Sequence, residues 1–290
     1  MGSDVVDSQA FCAPRAGKPI AICADDYGVD LNVDRAIVDL ARLGRLSATS
    51  VLVDANIGAD SIAALKTLDI DVGLHLNFTE VLGDLSAQAV MGLNPLILRS
   101  QARLLSRRWV RDNIERQLDR FEATLERTPD YVDGHLHVHQ LPIVRDELLA
   151  ALAARELPKG FWLRDTRAGN LSGAPRSEQF KSWVIGHLGM STLAVHATRQ
   201  QIKANHGFYG VYDFTAPHRP FMQMMSDWLS TAKAGALVMT HPAAQALAGD
   251  PIGQARVTEY QALGSNAFSE LLRERGITVV RASQLLSGLP

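Results

Sequence analysis

Cysteine is nearly absent. The 290 residues hold two, Cys12 and Cys23, which excludes a disulfide framework or a cysteine-rich zinc site and suits a reducing compartment. Aromatic residues make up only 6%, too few for a platform on which nucleic-acid bases stack. Neither sign of charge dominates: 29 Lys and Arg oppose 31 Asp and Glu for a formal net charge of -2. A general nucleic-acid binder would carry a basic excess. No run reaches the roughly 18 apolar residues of a membrane span, and residues 1–18 lack the basic and apolar regions of a signal peptide. The expectation is a soluble, cytoplasmic chain with no nucleic-acid partner and no transmembrane segment. Oligomeric state leaves no mark in the sequence.

What is present suffices for a large core, with 47% hydrophobic and 21% charged residues. Short apolar runs alternate with amphipathic stretches. Pro19 to Ala24 reads as a buried strand with Cys23 as a buried thiol, and Val33, Ala36, Ile37, Leu40 and Leu43 form a helical stripe ended by Gly44. Strands are expected over 47–53, 71–76, 131–135, 161–164, 236–239 and 277–280. Helices are expected over 61–68, 110–125, 143–155, 221–233 and 265–275. Residues 77–108 read as a long excursion, and 165–218 as short pieces broken by glycine and proline. Six or seven such β-α units without a linker favour one α/β barrel-like domain over 19–290, after an irregular N-terminal segment 1–18.

Active sites of parallel α/β folds lie at the carboxyl ends of the strands. Those ends carry Asp25 and Asp26, His75, Asp133 with His135, His137 and His139, Arg164, and His241. Two carboxylates directly after a buried strand must be solvated, paired or metal-bound. Adjacent side chains diverge, so one suits a cation and its neighbour the substrate. Three histidines at alternate positions raise the prospect of imidazole ligands, with His135 and His137 on one face if the strand continues. Two imidazoles and a carboxylate on a divalent ion leave open positions for water and substrate, as catalytic sites do.

The pieces Ala24-Asp25-Asp26-Tyr27-Gly28, Gly73-Leu74-His75-Leu76-Asn77, Val132-Asp133-Gly134-His135-Leu136-His137-Val138-His139 and Met239-Thr240-His241-Pro242 together resemble the YdjC-like carbohydrate deacetylases. That group includes chitooligosaccharide and hopanoid-associated deacetylases. Order and approximate spacing agree over about 19–285, and Arg164 and Gly207-Phe208-Tyr209-Gly210 also resemble family features. The chain departs from the family's usual Ser at Gly134 and its frequent Phe at Tyr27. The resemblance implies a distorted, incomplete TIM-like (β/α) barrel. It implies one divalent metal ion held by Asp26, His75 and His135, with Asp25 as general base, acting on an N-acetylated sugar or glycolipid. Zn²⁺ or Mg²⁺ leads, and Mn²⁺ and Co²⁺ also suit the donors.

In such a hydrolysis Asp25 takes a proton from water and a protonated group gives one to the leaving amine. His241 is the first candidate for that acid, ahead of His137 and His139. Arg164 is placed to hold a carboxylate through a bidentate contact, and Asp133 and Tyr209 are further candidates to support the ligating side chains or touch the substrate. Amidohydrolase-type and phosphoesterase-type barrels are rivals, but their His-x-His normally follows the first strand, where this chain has Asp-Asp. A non-catalytic sugar-binding relative is the rival from another class.

Overall fold

Ten residues, Lys18–Tyr27, form the strand β1 around which the rest of the chain is arranged. The computed structural model describes residues 17–287; Cys12 and nearly all of the expected N-terminal segment lie outside them. The other strands are β2 (Ala48–Val51), β3 (Asp71–Leu76), β4 (Tyr131–Gly134), β5 (Trp162–Leu163), β6 (Lys203–Ala204), β7 (Phe208–Tyr209), β8 (Leu237–Thr240) and β9 (Ile277–Val279). The helices run α1 (Leu31–Arg42), α2 (Ala59–Lys66), α3 (Leu93–Gln101), α4 (Arg107–Leu125), α5 (Val144–Ala153), α6 (Arg176–His187), α7 (Met190–Arg199), α8 (Phe221–Thr231), α9 (Gly253–Gly264), α10 (Asn266–Glu274) and α11 (Ala282–Ser287).

All pairings are parallel, in the order β6-β5-β4-β3-β2-β1-β8-β7, with β9 added to the start of β1. The two ends of that order are close in sequence. Ala204 ends β6 and Phe208 begins β7, so four extended steps, about 14 Å at most, separate the edges. One interrupted strand therefore borders β5 with its first half and β8 with its second. The sheet curls back to its start, and the ring is broken only at 205–207. This is the distorted, incomplete barrel of a single α/β domain.

Alternation along β1 sets inside against outside. Ile20, Ile22 and Ala24 join the core shared with the helices. Ala21 and Cys23 face an interior filled by Tyr131, Trp162, Phe208, Leu237 and Met239, where Tyr131 and Trp162 stack with centroids 4.0 Å apart. Side chains at these inner positions fill the barrel, so the space for ligands is above the carboxyl ends of the strands. Val33, Ala36, Ile37 and Leu40 of the expected stripe are buried in α1, whereas Leu43 falls at the C-cap and is exposed; Asp30 caps the helix by accepting from the Asn32 amide at 2.7 Å. The excursion 77–108 contains α3, and the broken stretch 165–218 contains α6, α7 and the paired β6 and β7. One element outside the expected set, α9, bears on the site.

Candidate functional site

Asp25 continues the inward face of β1, and then the strand breaks its own rhythm. The register with β2 shifts between Ala24 and Tyr27, and Asp26 takes a left-handed φ of 71°. That conformation costs a non-glycine residue about 1–2 kcal/mol, although Asp bears it better than most. The bulge turns two adjacent carboxylates towards two different sets of partners.

Asp26 meets the histidines. Its Oδ1 lies 3.2 Å from His135 Nδ1 and 3.5 Å from His75 Nε2. Ligand atoms held about 2.0–2.2 Å from one ion sit roughly 3.0–3.5 Å apart, so Asp26 already stands at ligand spacing from each histidine, and the three donor atoms all lie within 4.8 Å of one another. Their chemistry fits as well. Asp133 Oδ1 accepts from His75 Nδ1 at 2.7 Å, which fixes the tautomer that presents Nε2 with a free lone pair. Burial works against a charge on His75, yet Asp133 and the two neighbouring aspartates outweigh it and raise the imidazole pKa. The second potential donor cluster, Cys23, Asp25 and Asp133, is filled by the Arg164 guanidinium. It leaves no room for an ion.

Arg164 follows β5 and is wholly buried. It donates to both Asp25 oxygens at 2.6 Å through Nη1 and Nη2 and lies 2.5 Å from Asp133 Oδ2. Burial alone would raise the Asp25 pKa; the guanidinium overrides it and holds the carboxyl well below the usual range. Ser50, on β2, ties the two halves together: its hydroxyl donates to Asp25 Oδ1 at 3.2 Å and lies 3.0 Å from His75 Nδ1. His241 also reaches this group, with Nε2 3.9 Å from Asp25 Oδ2. Its ring stands edge-on to Phe214 with centroids 5.1 Å apart. Burial lowers its pKa to about 4, and among the described residues its buried Nδ1 has no hydrogen-bond partner.

The extended His135–His139 segment is not what forms. After His135 the chain enters a short 3-10 turn through Leu136 and His137, both left-handed at φ 51° and 61°. The turn brings the chain back so tightly that a Cβ on Gly134 would meet the His139 amide nitrogen at 2.8 Å. Strand alternation therefore ends at His135, and His135 and His137 do not share a face. The His137 ring meets the edge of Phe208 at 5.5 Å. His139 is fully buried, with Nε2 3.0 Å from the Arg164 carbonyl, and burial lowers its pKa to about 4. It supports the backbone that carries Arg164. The Tyr209 hydroxyl accepts from the Asn170 amide at 3.1 Å and so anchors the loop after β5.

Three site residues have no signal in the sequence: Ser50 on β2, and two that sit on α9. Arg256 Nη2 donates to Asp26 Oδ2 at 2.7 Å, and its Nε donates to Asp250 at 2.6 Å. Burial would raise the Asp26 pKa, but Arg256 and the His135 contact reverse this and hold it well below the usual range. One turn on, Glu259 Oε2 accepts from the His241 amide at 2.5 Å and Oε1 accepts from the Tyr212 hydroxyl at 2.6 Å. A single helix thus grips both Asp26 and the backbone of His241. Nothing in the periodicity of 253–264 announces it, because the buried side of α9 is made of Gly253, Ala255, Arg256, Glu259 and Leu263. A face half composed of charge gives no apolar stripe.

With this geometry, comparison with known proteins is informative. The family model described as YdjC-like protein matches residues 19–274. The chain belongs to the YdjC-like family. A carbohydrate deacetylase of Mus musculus is 27% identical to this family member over 63% of the chain and 69% of the relative. A chitooligosaccharide deacetylase of Yersinia pestis (strain Pestoides F) is 26% identical over 89% of this chain and 96% of its own. Among solved structures, a protein assigned to cellobiose-phosphate cleavage in Enterococcus faecalis V583 superposes with a TM-score of 0.64. It covers 93% of this chain and 99% of its own at 19% identity, which supports the YdjC-like fold and says nothing of activity. Among the described residues, no helix is long and apolar enough to cross a membrane.

Proposed function

We propose that this YdjC-like protein hydrolyses the N-acetyl group of an amino sugar, in a free carbohydrate or a glycolipid, releasing acetate with the help of one divalent ion. The supporting observation is the convergence of Asp26, His75 and His135 beside a second, separately held carboxylate, Asp25. The relatives named as carbohydrate and chitooligosaccharide deacetylases point to the same chemistry. When bound, a divalent ion supplies polarisation of the acyl carbonyl and makes water acidic enough to ionise near neutral pH.

The protein's own groups supply the rest. Asp25, kept ionised and aimed by Arg164, accepts a proton as water adds to the acyl carbon. Its bidentate tether leaves it little freedom to rotate towards the ion, which suits a base better than a ligand. The C–N bond then breaks, and the amine must leave protonated. His241 stands beside both aspartates, fixed through its backbone by Glu259. Burial disfavours a charge on its ring, which suits a group that takes up a proton during the reaction, and the Asp25 carboxylate lies 3.9 Å from its Nε2. Asp133 fixes His75, and Arg256 fixes Asp26. The deciding experiment is acetate release from a panel of N-acetylated monosaccharides, oligosaccharides and glycolipids, with metal content measured on the same sample. Release that stops on chelation and returns with a divalent ion supports the reading, and no release from any member of the panel overturns it.

A further inference from the structure

Nine large apolar side chains stand exposed among the described residues, and five of them belong to one region. Leu98 lies on α3 and Leu104 just after it, at 71% and 74% exposure; Phe180 and Trp183 lie on α6, at 65% and 54%, and Val195 on α7. Hydrogen bonds clamp these helices over the same stretch of chain. Gln101 Nε2, at the end of α3, donates to the Leu188 carbonyl between α6 and α7 at 2.9 Å. Gln140 Nε2 donates to the Ile185 carbonyl of α6 at 2.7 Å, and Ser100 Oγ of α3 donates to the Pro142 carbonyl. Residues 140–142 end the turn that leaves the carboxyl end of β4, so these groups gather on the side of the barrel where Asp26, His75 and His135 lie. A sixth, Leu136, lies in that turn. Single exposed apolar side chains are ordinary, whereas a gathering of them marks a surface that something covers.

The charge around them has one sign. Between Asp84 and Asp112 the chain carries five arginines and no acidic residue, although the whole protein has a net charge of -2. Arg107 and Arg111 pair with Glu147. Arg99, Arg103 and Arg108 are exposed, and the carboxylates nearest the last two are 3.8 and 3.6 Å away, pairs that add little in water. On α6, Arg176, Phe180, Trp183 and His187 recur at spacings of four, three and four, which puts them on one side of the helix. All four are exposed, and the rings stack in sequence at 6.0 and 4.3 Å. The one acid of α6, Glu178, is buried against Arg219.

This combination chooses among occupants. Two copies of the chain meeting here about a two-fold axis would set arginine against arginine. Nucleic-acid phosphates would answer the arginines and leave Leu98 and Leu104 in water. An anionic bilayer answers both. Its headgroups attract the arginines, its outermost hydrocarbon accepts the leucines, and tryptophan favours the boundary between the two.

We propose that α3, α6 and α7 form a docking surface for an anionic membrane, so that the protein binds the bilayer peripherally with the mouth of the barrel beside it. Docking there does not depend on the deacetylase chemistry, and no substrate enters the test. Sedimentation with vesicles of phosphatidylcholine, alone or mixed with an equal amount of phosphatidylglycerol, is measured for the wild type and three double variants at exposed positions. The wild type should sediment with the mixed vesicles and much less with the neutral ones, and salt should release it. Phe180→Ser with Trp183→Ser should weaken that binding about tenfold or more, the scale for withdrawing a large apolar side chain. Arg99→Gln with Arg108→Gln should weaken it about fivefold for each cation removed. Leu31→Ser with Leu43→Ser, comparably exposed but on α1 and at its C-cap, should leave it unchanged. Tryptophan emission should move to the blue with mixed vesicles in the wild type and not in Trp183→Phe, which still sediments. No binding to either vesicle overturns the proposal, and so does binding that the α1 pair weakens as much as the α6 pair. A dimer that the α6 pair dissociates, without vesicle binding, would also overturn it and make the face a contact between copies.

Discussion

Arg256 Nη2 lies 2.7 Å from Asp26 Oδ2 although 230 positions separate them in sequence. Asp26 is the only carboxylate of the three-donor group, and it stands on a left-handed backbone with Oδ1 turned to the histidines. Arg256→Met would remove the hydrogen bond that fixes the other oxygen. Divalent-ion affinity, measured by competition with a chelator, should fall about 10- to 100-fold, and Arg256→Lys should restore part of it. An unchanged affinity in Arg256→Met would show that Asp26 needs no such support.

The three donors should stand or fall together. His75→Ala and His135→Ala are each expected to abolish stoichiometric metal binding, because the remaining two protein ligands do not define a site. Asp133→Asn keeps all three donors and loses the carboxylate behind His75, so it should weaken the ion about 10-fold or more without abolishing it. Elemental analysis after gel filtration decides. A full equivalent of metal in both alanine variants would refute the assignment.

Asp25 is expected to act on the reaction and not on the ion. Asp25→Asn should retain metal and lose about 10²-fold or more in kcat, the scale of a general base. The amide oxygen still accepts from Arg164, whose charge remains balanced by Asp133, so the variant should fold. Metal lost together with activity would make Asp25 a ligand.

His241→Ala separates an acid from a structural histidine. With metal and fold intact, kcat should fall on an N-acetyl sugar and fall much less on an activated acetate ester, whose leaving group needs no proton. Equal losses on the two substrates would assign His241 to positioning.

Glu259 makes a pH prediction. Burial pushes its carboxyl up to about 7 from an ordinary 4.5, against the Tyr212 and His241 hydrogen bonds that lower it. The folded protein thus holds a proton that the unfolded chain releases. The contribution of this group is full below the unfolded value and is lost as pH rises through about 7. Glu259→Gln has no such titration. The melting temperature of the wild type minus that of the variant should therefore decline between about pH 5 and about pH 7.5. A difference independent of pH would contradict it.

What the sequence made legible follows from where burial and polarity coincide. β1 to β4 show as apolar runs because both faces of a parallel sheet are covered, and a carboxylate or imidazole at the end of such a run has few ordinary explanations. Asp25, Asp26, His75 and His135 were found in that way, and the structure brings them together with Asp133, Arg164 and His241. The turn at Leu136 and His137 was invisible because leucine rarely takes a left-handed backbone and the modest preference of histidine for it does not announce a turn. β6 and β7, at two residues each, are too short to carry any period. Arg256 and Glu259 stayed hidden for the opposite reason to the strands: they are buried charges on a helix, where the pattern marks such residues as solvent-facing.

The break in the ring at 205–207 has its own consequence. There the ladder on the β5 side is carried by one side chain: Asn205 accepts from the Asp165 amide at 2.8 Å and donates to the Asp165 carbonyl at 2.9 Å, imitating a strand, while His206 and Gly207 pair through the backbone with the approach to β8. An amide group at the end of a side chain is more easily displaced than a backbone held by regular pairs on both sides. Hydrogen exchange should therefore find the Asp165 amide opening locally, ahead of global unfolding, while the amides of β1 to β3 exchange only with the whole molecule. The barrel can thus loosen at its seam while the strands that carry Asp25, Asp26 and His75 stay closed.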